Sequence, residues 1–233
     1  MPPLARHGRL RLGPEGLDAA LGGGLALGAL HAVAAAGEGR GEGAGTGFVA
    51  CVIGRLAGPV LWISPTADLF PAGLIRFGLD PARLLLASPD GDTASLAAME
   101  MGLRAGVTTV GEIGGGEIGR GGRLGARRLA LACLEHGATG FLLVRPIHAS
   151  RKHGPGLDLS AAFTRWRVAP APSLARHGEP GEPRWQLRLL AARGGAEGEW
   201  LVEGGGEDDA APALRLASGL AGDAAGPSVR AAG

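Results

Sequence analysis

The residues best suited to chemistry lie in a glycine-rich stretch and at two acids beyond it. Residues 34–48, AAAGEGRGEGAGTGF, leave one apolar run, pass six glycines and enter another apolar run at Phe48. Strand, glycine loop and helix in that order are the layout in which backbone N–H groups cradle a phosphate. A complete triphosphate loop reads Gly-x-x-x-x-Gly-Lys-Ser/Thr, with the lysine on the β/γ-phosphates and the hydroxyl on magnesium. Between Gly37 and Gly47 no two glycines stand five apart, and the chain's single lysine is Lys152. Thr46 stands where the hydroxyl belongs, but Gly45 precedes it. Glu38 and Glu42 repel a triphosphate and Arg40 alone cannot offset both. A G-x-G-x-x-G fingerprint is also missing from the stretch. Gly41, Gly43, Gly45 and Thr46 therefore read as a relic phosphate loop that joins strand to helix, with no cofactor expected.

Two acids follow strand-like runs. Asp68 comes after VLWIS and reads first as the N-cap of the next helix. Glu112 comes after GVTTV and reads equally as a solvated strand end or as a metal-holding carboxylate. Two groups of cations gather in loops. Arg120, Arg123, Arg127 and Arg128 surround the loop and helix start after Glu112, and Arg145, His148, Arg151, Lys152 and His153 crowd the loop after residue 144. Such loops can track a nucleic-acid backbone, but neither offers an aromatic platform for bases. The alternative is a solvated or protein-contacting rim. Trp166 and Trp185 sit among arginines, a composition of interface hot spots, and read also as core anchors. The six histidines lack metal-ligand spacing except for His148 and His153, both on a loop, so no metal is assigned; no Ser/His/Asp arrangement is readable.

The elements that must position these residues follow from apolar runs and their punctuation. Strands are expected over 29–35, 60–64, 83–88, 107–113 and 139–144, with helices over 46–57, 68–77, 92–106 and 123–136. In the third of these helices Leu96, Met99 and Leu103 share a face, and Glu100 and Arg104 form an i,i+4 pair. Continuous Leu/Val/Ile strands alternating with helices imply an α/β fold with a mostly parallel sheet covered on both faces. RWRVA (165–169), RWQLRLLA (184–191) and EWLVE (199–203) instead alternate polar and apolar residues, as an antiparallel extension with one solvated face does. Residues 1–203 read as one domain with its extension over 164–203, and 204–233 as a mostly disordered tail apart from LRLAS (214–218).

With 233 residues and 45% hydrophobic composition the chain can bury a substantial core, and a net charge of +1 excludes neither DNA nor protein partners but marks no strong polyanion binder. Cys51 and Cys133 lie in apolar helices and read as buried thiols of a reducing compartment. The stretch 19–37 is broken by glycines and His31, so no transmembrane helix is expected, and the chain reads as cytoplasmic.

GPEGLDAALGGGLALGALHAV (13–33) is similar to the entry of a RecA-type core. RLAGPVLWI (55–63), DLFPAGLIRFGLDPARLLL (68–86), RRLALACLEHGATGFLLVRP (127–146), TRWRVAPAPS (164–173) and PRWQLRLLAARGG (183–195), with WLVE (200–203) and LRLA (214–217), resemble the ImuA family over roughly residues 10–218. That resemblance implies a RecA-like core in which Glu112 holds the place of a magnesium carboxylate and Asp68 that of a water-activating one. It further implies a non-catalytic accessory in damage-induced (SOS) mutagenic translesion synthesis, beside the polymerase-like ImuB and an error-prone polymerase. RecA and single-stranded DNA are further partner candidates. Two other readings stay open: a RecA-related ATPase or DNA-binding repair protein, and a SulA-like inhibitor of cell division.

Overall fold

The computed structural model describes residues 7–36, 42–114, 121–145, 159–173, 181–204, 214–217 and 229–230. Strand β1 (Arg9–Leu10), helix α1 (Glu15–Ala20) and strand β2 (Leu25–Ala26) come first, with β1 and β2 paired antiparallel. The alternating part follows: β3 (Leu30–Ala35), α2 (Glu42–Ile53), β4 (Val60–Ile63), β5 (Leu84–Ala87), α3 (Gly91–Arg104), β6 (Thr108–Ile113), α4 (Gly121–His136) and β7 (Gly140–Val144). Strands β8 (Thr164–Ala171), β9 (Arg184–Ala192), β10 (Glu197–Gly204), β11 (Leu214–Leu216) and β12 (Val229–Arg230) complete the order.

All strands from β3 on join one sheet in the order β11-β10-β9-β8-β3-β7-β6-β4-β5, with β12 also on β10. The α/β class, the parallel centre and the antiparallel C-terminal part are as the sequence led one to expect. Strand β8 belongs to both parts. It runs parallel to β3, with His31 opposite Thr164, and antiparallel to β9. The extension therefore grows from the parallel sheet without a break.

Strand alternation sends successive side chains to opposite faces, and β7 is buried on both. Phe141 and Leu143 join one core with Phe48, Trp62, Trp166, Trp185 and Trp200, while Leu142 and Val144 join the other with Leu96, Met99, Leu103 and Leu129. Helix α2 lies over the first core and α3 with α4 over the second. Each fully buried side chain of this size contributes about 2 kcal/mol relative to exposure. Where α2 ends, the Cβ that any other residue would add at Gly54 would stand 2.6 Å from the Gly78 carbonyl oxygen. Only glycine admits that approach.

Trp166 and Trp185, candidates for partner contact, are instead core anchors. They are 1% and 3% exposed and pack on Phe48 with ring centroids 5.6 and 6.4 Å away. Their neighbours Arg165, Arg167 and Arg188 take the solvated face. At the seam between the two parts of the sheet, Trp166 Nε1 donates to Thr164 Oγ1 (2.7 Å), which lies 2.7 Å from His31 Nδ1. His31 Nε2 lies 2.8 Å from the Ala26 carbonyl oxygen, an acceptor only, so the proton of the neutral ring is on Nε2. Nδ1 then accepts from Thr164, and every polar atom in this buried chain is satisfied.

Several boundaries differ from expectation. Residues 71–77 form a 3-10 helix rather than an α-helix from Asp68, because Phe70 is extended and Pro71 opens the turn. Helix α3 starts at Gly91, one residue before the expected 92, and Asp92 in its first turn accepts from the Gly114 N–H through Oδ1 at 2.9 Å. In the stretch 214–218, excepted from the expected tail, Leu214 is fully buried and β11 pairs with β10; β12, inside that tail, pairs with β10 as well.

Candidate functional site

The carboxyl ends of β3, β4, β6 and β7 lie side by side, which is where an open α/β sheet binds ligands. Helix α2 begins at Glu42, four residues before the expected start. Gly43, Gly45 and Thr46 are therefore helical residues, not members of a connecting loop. Gly41 lies outside the described residues. A Cβ at Gly45 would meet Leu143 Cδ2 at 3.4 Å, so this first turn of α2 packs on β7.

The two acids meet on one arginine. Glu112, wholly buried at the end of β6, accepts from Trp62 Nε1 at 2.7 Å through Oε1 and from Ser64 Oγ at 3.1 Å through Oε2. Arg145, the residue after β7, places one guanidinium nitrogen 2.7 Å from Glu112 Oε2. The same guanidinium is bidentate on Asp68, at 2.8 and 2.9 Å, and reaches Thr66 Oγ1 at 3.1 Å. Asp68 is thus no helix cap. The Arg145 hydrogen bonds, against a smaller opposing effect of burial and with help from Thr66, hold its carboxyl down at about 2. Ala67 has a positive φ of 50°, a strained conformation for a residue with a side chain, and it leads directly into Asp68.

The sequence puts Arg145 in a basic loop that reads either as a nucleic-acid track or as a solvated or protein-contacting rim. In the fold it bridges the buried Glu112 and the half-exposed Asp68 at the junction of β4, β6 and β7. The missed signal was a lone Arg directly after a buried strand, and it becomes readable only when strand order puts β7 beside β6. Burying a carboxylate demands such compensation, since an unpaired one costs several kcal/mol.

This donor set does not fit a magnesium–triphosphate. Both acids are already engaged by one protein cation, Arg145, and helix α2 contains no lysine. A carboxylate held at about 2 is also a weak base for activating water near neutral pH. Among the described residues no group of His, Cys, Asp and Glu is arranged to hold a metal ion.

The arginines proposed for DNA or partner contact separate. Arg127 is exposed on α4, whereas Arg128 pairs with Glu100 at 2.7 Å, beside the Arg104–Glu100 contact at 3.0 Å. The Glu100–Arg104 pair is therefore formed as expected, with Arg128 as a second cation. Arg123 lies in the first turn of α4, and Arg120, Arg151 and Lys152 fall outside the described residues. No helix among the described residues is long and apolar enough to cross a membrane.

No protein-family model matches the chain. The ImuA proteins of two strains of Caulobacter vibrioides are each 36% identical to it over 228 aligned positions, covering 91% of this chain and 90% of the relative. Identity at this level, sustained along nearly the whole length of both partners, carries the family with it. The chain belongs to the ImuA family.

Proposed function

We propose that this protein is a non-catalytic, RecA-like accessory factor of damage-induced mutagenic translesion synthesis, working in the cytoplasm with an ImuB-like, polymerase-related partner. Membership of the ImuA family supports the process and the partner. One observation carries the non-catalytic part: Arg145 bridges Asp68 and Glu112, the two carboxylates that nucleotide chemistry would need free. A guanidinium in that position ties three strand ends together and leaves the acids no magnesium to hold. What remains is a rigid α/β body that acts through its surfaces.

The test has two arms. Purified protein with millimolar ATP and magnesium is expected to show no turnover and no rise in melting temperature, since a ligand far below its dissociation constant adds almost nothing to stability. A pull-down from damaged cells is expected to recover the polymerase-like protein. Steady ATP turnover abolished by Glu112→Gln would overturn the non-catalytic reading, and recovery of the cell-division GTPase alone would overturn the process.

A further inference from the structure

Exposed large apolar side chains concentrate at one end of the sheet. Among the described residues they are Phe70, Ile75, Leu85, Leu86, Met101, Leu131 and Leu216; Leu85 and Leu86 are on β5, Phe70 and Ile75 at the 3-10 stretch that precedes it, and Met101 on α3, the helix that follows it. Among the described residues strand β5 is the last of the sheet and pairs only with β4. The Ala87 carbonyl accepts from Ser64 N–H at 3.0 Å, so Ala87 and Leu85 turn their backbone groups toward β4. By strand alternation Leu86 points its N–H and carbonyl outward and Leu84 its carbonyl, while the Leu84 N–H donates to the Pro81 carbonyl. Leu86 shares its face with its neighbour Trp62 and with the 3-10 stretch 71–77, and is 54% exposed. Leu85 shares the opposite face with Leu61 and α3, and is 55% exposed.

Sheet edges are ordinarily protected by charge, proline or a covering element. The strand Leu-Leu-Leu-Ala has no charge and no proline. The described segments nearest the chain termini lie elsewhere, β1 on β2 and β12 on β10 at the far part of the sheet. Asp80 and Asp90, both exposed, bracket the strand in sequence. The cation between them, Arg83, is turned away onto the carbonyls of Gly58 (2.8 Å), Gly54 (3.2 Å) and Leu56. A second copy of the chain fits this edge poorly. Antiparallel self-pairing brings Asp80 against Asp90, and parallel self-pairing brings each against itself; like charges face each other either way.

We infer that the β5 edge is the surface on which this protein docks its partner, by accepting an extended segment of that partner as an added strand. The segment has apolar side chains on both faces of its strand and a basic residue near at least one end. Its backbone bonds to the Leu84 carbonyl and to the N–H and carbonyl of Leu86. Its side chains cover Leu86, Phe70 and Ile75 on one face and Leu85 and Met101 on the other. Backbone pairing supplies affinity and the flanking apolar contacts supply specificity. The inference deepens the proposed function, on which its choice of partner rests.

The experiment measures binding of the purified full chain to the ImuB-like protein of the same genome. Leu85→Lys/Leu86→Lys alters two half-exposed positions and is expected to weaken binding about tenfold or more while the melting temperature stays near that of the parent. Asp90→Asn is expected to slow association and reduce its salt dependence. Arg165→Ala/Arg167→Ala, on the open face of the extension, is expected to bind as the parent does. Equal binding by the parent and by Leu85→Lys/Leu86→Lys overturns the edge as the docking surface and leaves the partner assignment standing. A parent that does not bind the ImuB-like protein at all overturns both. Should the double lysine variant unfold, Phe70→Ser, at a position 71% exposed, is the second variant, with unchanged affinity counting against the inference.

Discussion

One guanidinium that serves two carboxylates makes each dependent on it. Arg145→Ala would strand Glu112, which has no exposure, with only Trp62 and Ser64 as partners. Removing one member of a buried pair costs about 3 kcal/mol or more, so the denaturant midpoint should fall sharply. Glu112→Gln in the same chain should restore part of the loss, because the stranded charge is gone. A parent-like midpoint for Arg145→Ala would show that the bridge carries no stability. His31 gives a second test, by pH. Burial pushes its imidazole from 6.5 down to about 4, against a weaker raising effect of the Ala26 carbonyl. Between those values the unfolded chain binds more protons than the folded one. Stability is therefore full above about 6.5 and drains away as pH falls toward 4, by about 3 kcal/mol over the whole window. Asp68 acts lower down, with its contribution present above about 3.8 and lost as pH falls toward 2. In His31→Gln the slope of stability against pH between 6.5 and 5 should flatten, and an unchanged slope would reject the assignment to His31.

The elements themselves depend on a few close approaches. Gly54→Ala would drive a methyl group into the Gly78 carbonyl, which is backbone and cannot swing aside. The expected loss is about 2 kcal/mol, read from chemical denaturation, whereas Gly45→Ala, whose Cβ would meet Leu143 at ordinary contact distance, should be far milder. Equal effects at the two sites would mean that the α2 C-terminus gives way. Most elements were legible in the sequence because their apolar runs match the period of a strand or helix: Val60–Ile63, Gly140–Val144 and the Leu96, Met99, Leu103 face all stand where that pattern puts them. Sheet order was not legible, and the site depends on it. Asp68, Glu112 and Arg145 meet because β7 lies beside β6 and β6 beside β4, a fact no local period encodes. Trp166 and Trp185 likewise alternate with arginines, but alternation alone does not say which face is covered.

For the whole molecule, the near balance of charge, +1 on 233 residues, weighs against tight binding of a polyanion. Arg128 is engaged by Glu100, and the open face of the extension mixes Arg165, Arg167 and Arg188 with Glu199 and Glu203. Replacing Arg120, Arg123, Arg151 and Lys152 together by Ala should therefore slow association and reduce its salt dependence only with a protein partner that meets these loops through a contact additional to the β5 edge. Single-stranded DNA should bind the parent only feebly at physiological ionic strength. The opposite outcome is measurable: tight binding to DNA with a logarithmic salt slope near −0.7 per neutralised phosphate, lost in the quadruple variant, would make these residues a nucleic-acid contact.

The chain has four tryptophans and no tyrosine, and Trp62, Trp166, Trp185 and Trp200 are all 3% exposed or less. Ultraviolet emission from the protein is thus tryptophan emission alone, and in the folded state it comes from rings shielded from water. Unfolding should shift the spectrum to longer wavelength without any tyrosine background to subtract. Trp62 adds a local channel, since its indole N–H rests on the carboxylate that Arg145 holds. A change of emission in Arg145→Lys with far-ultraviolet dichroism unchanged would report a slackened clamp in a chain that is still folded, with no label attached.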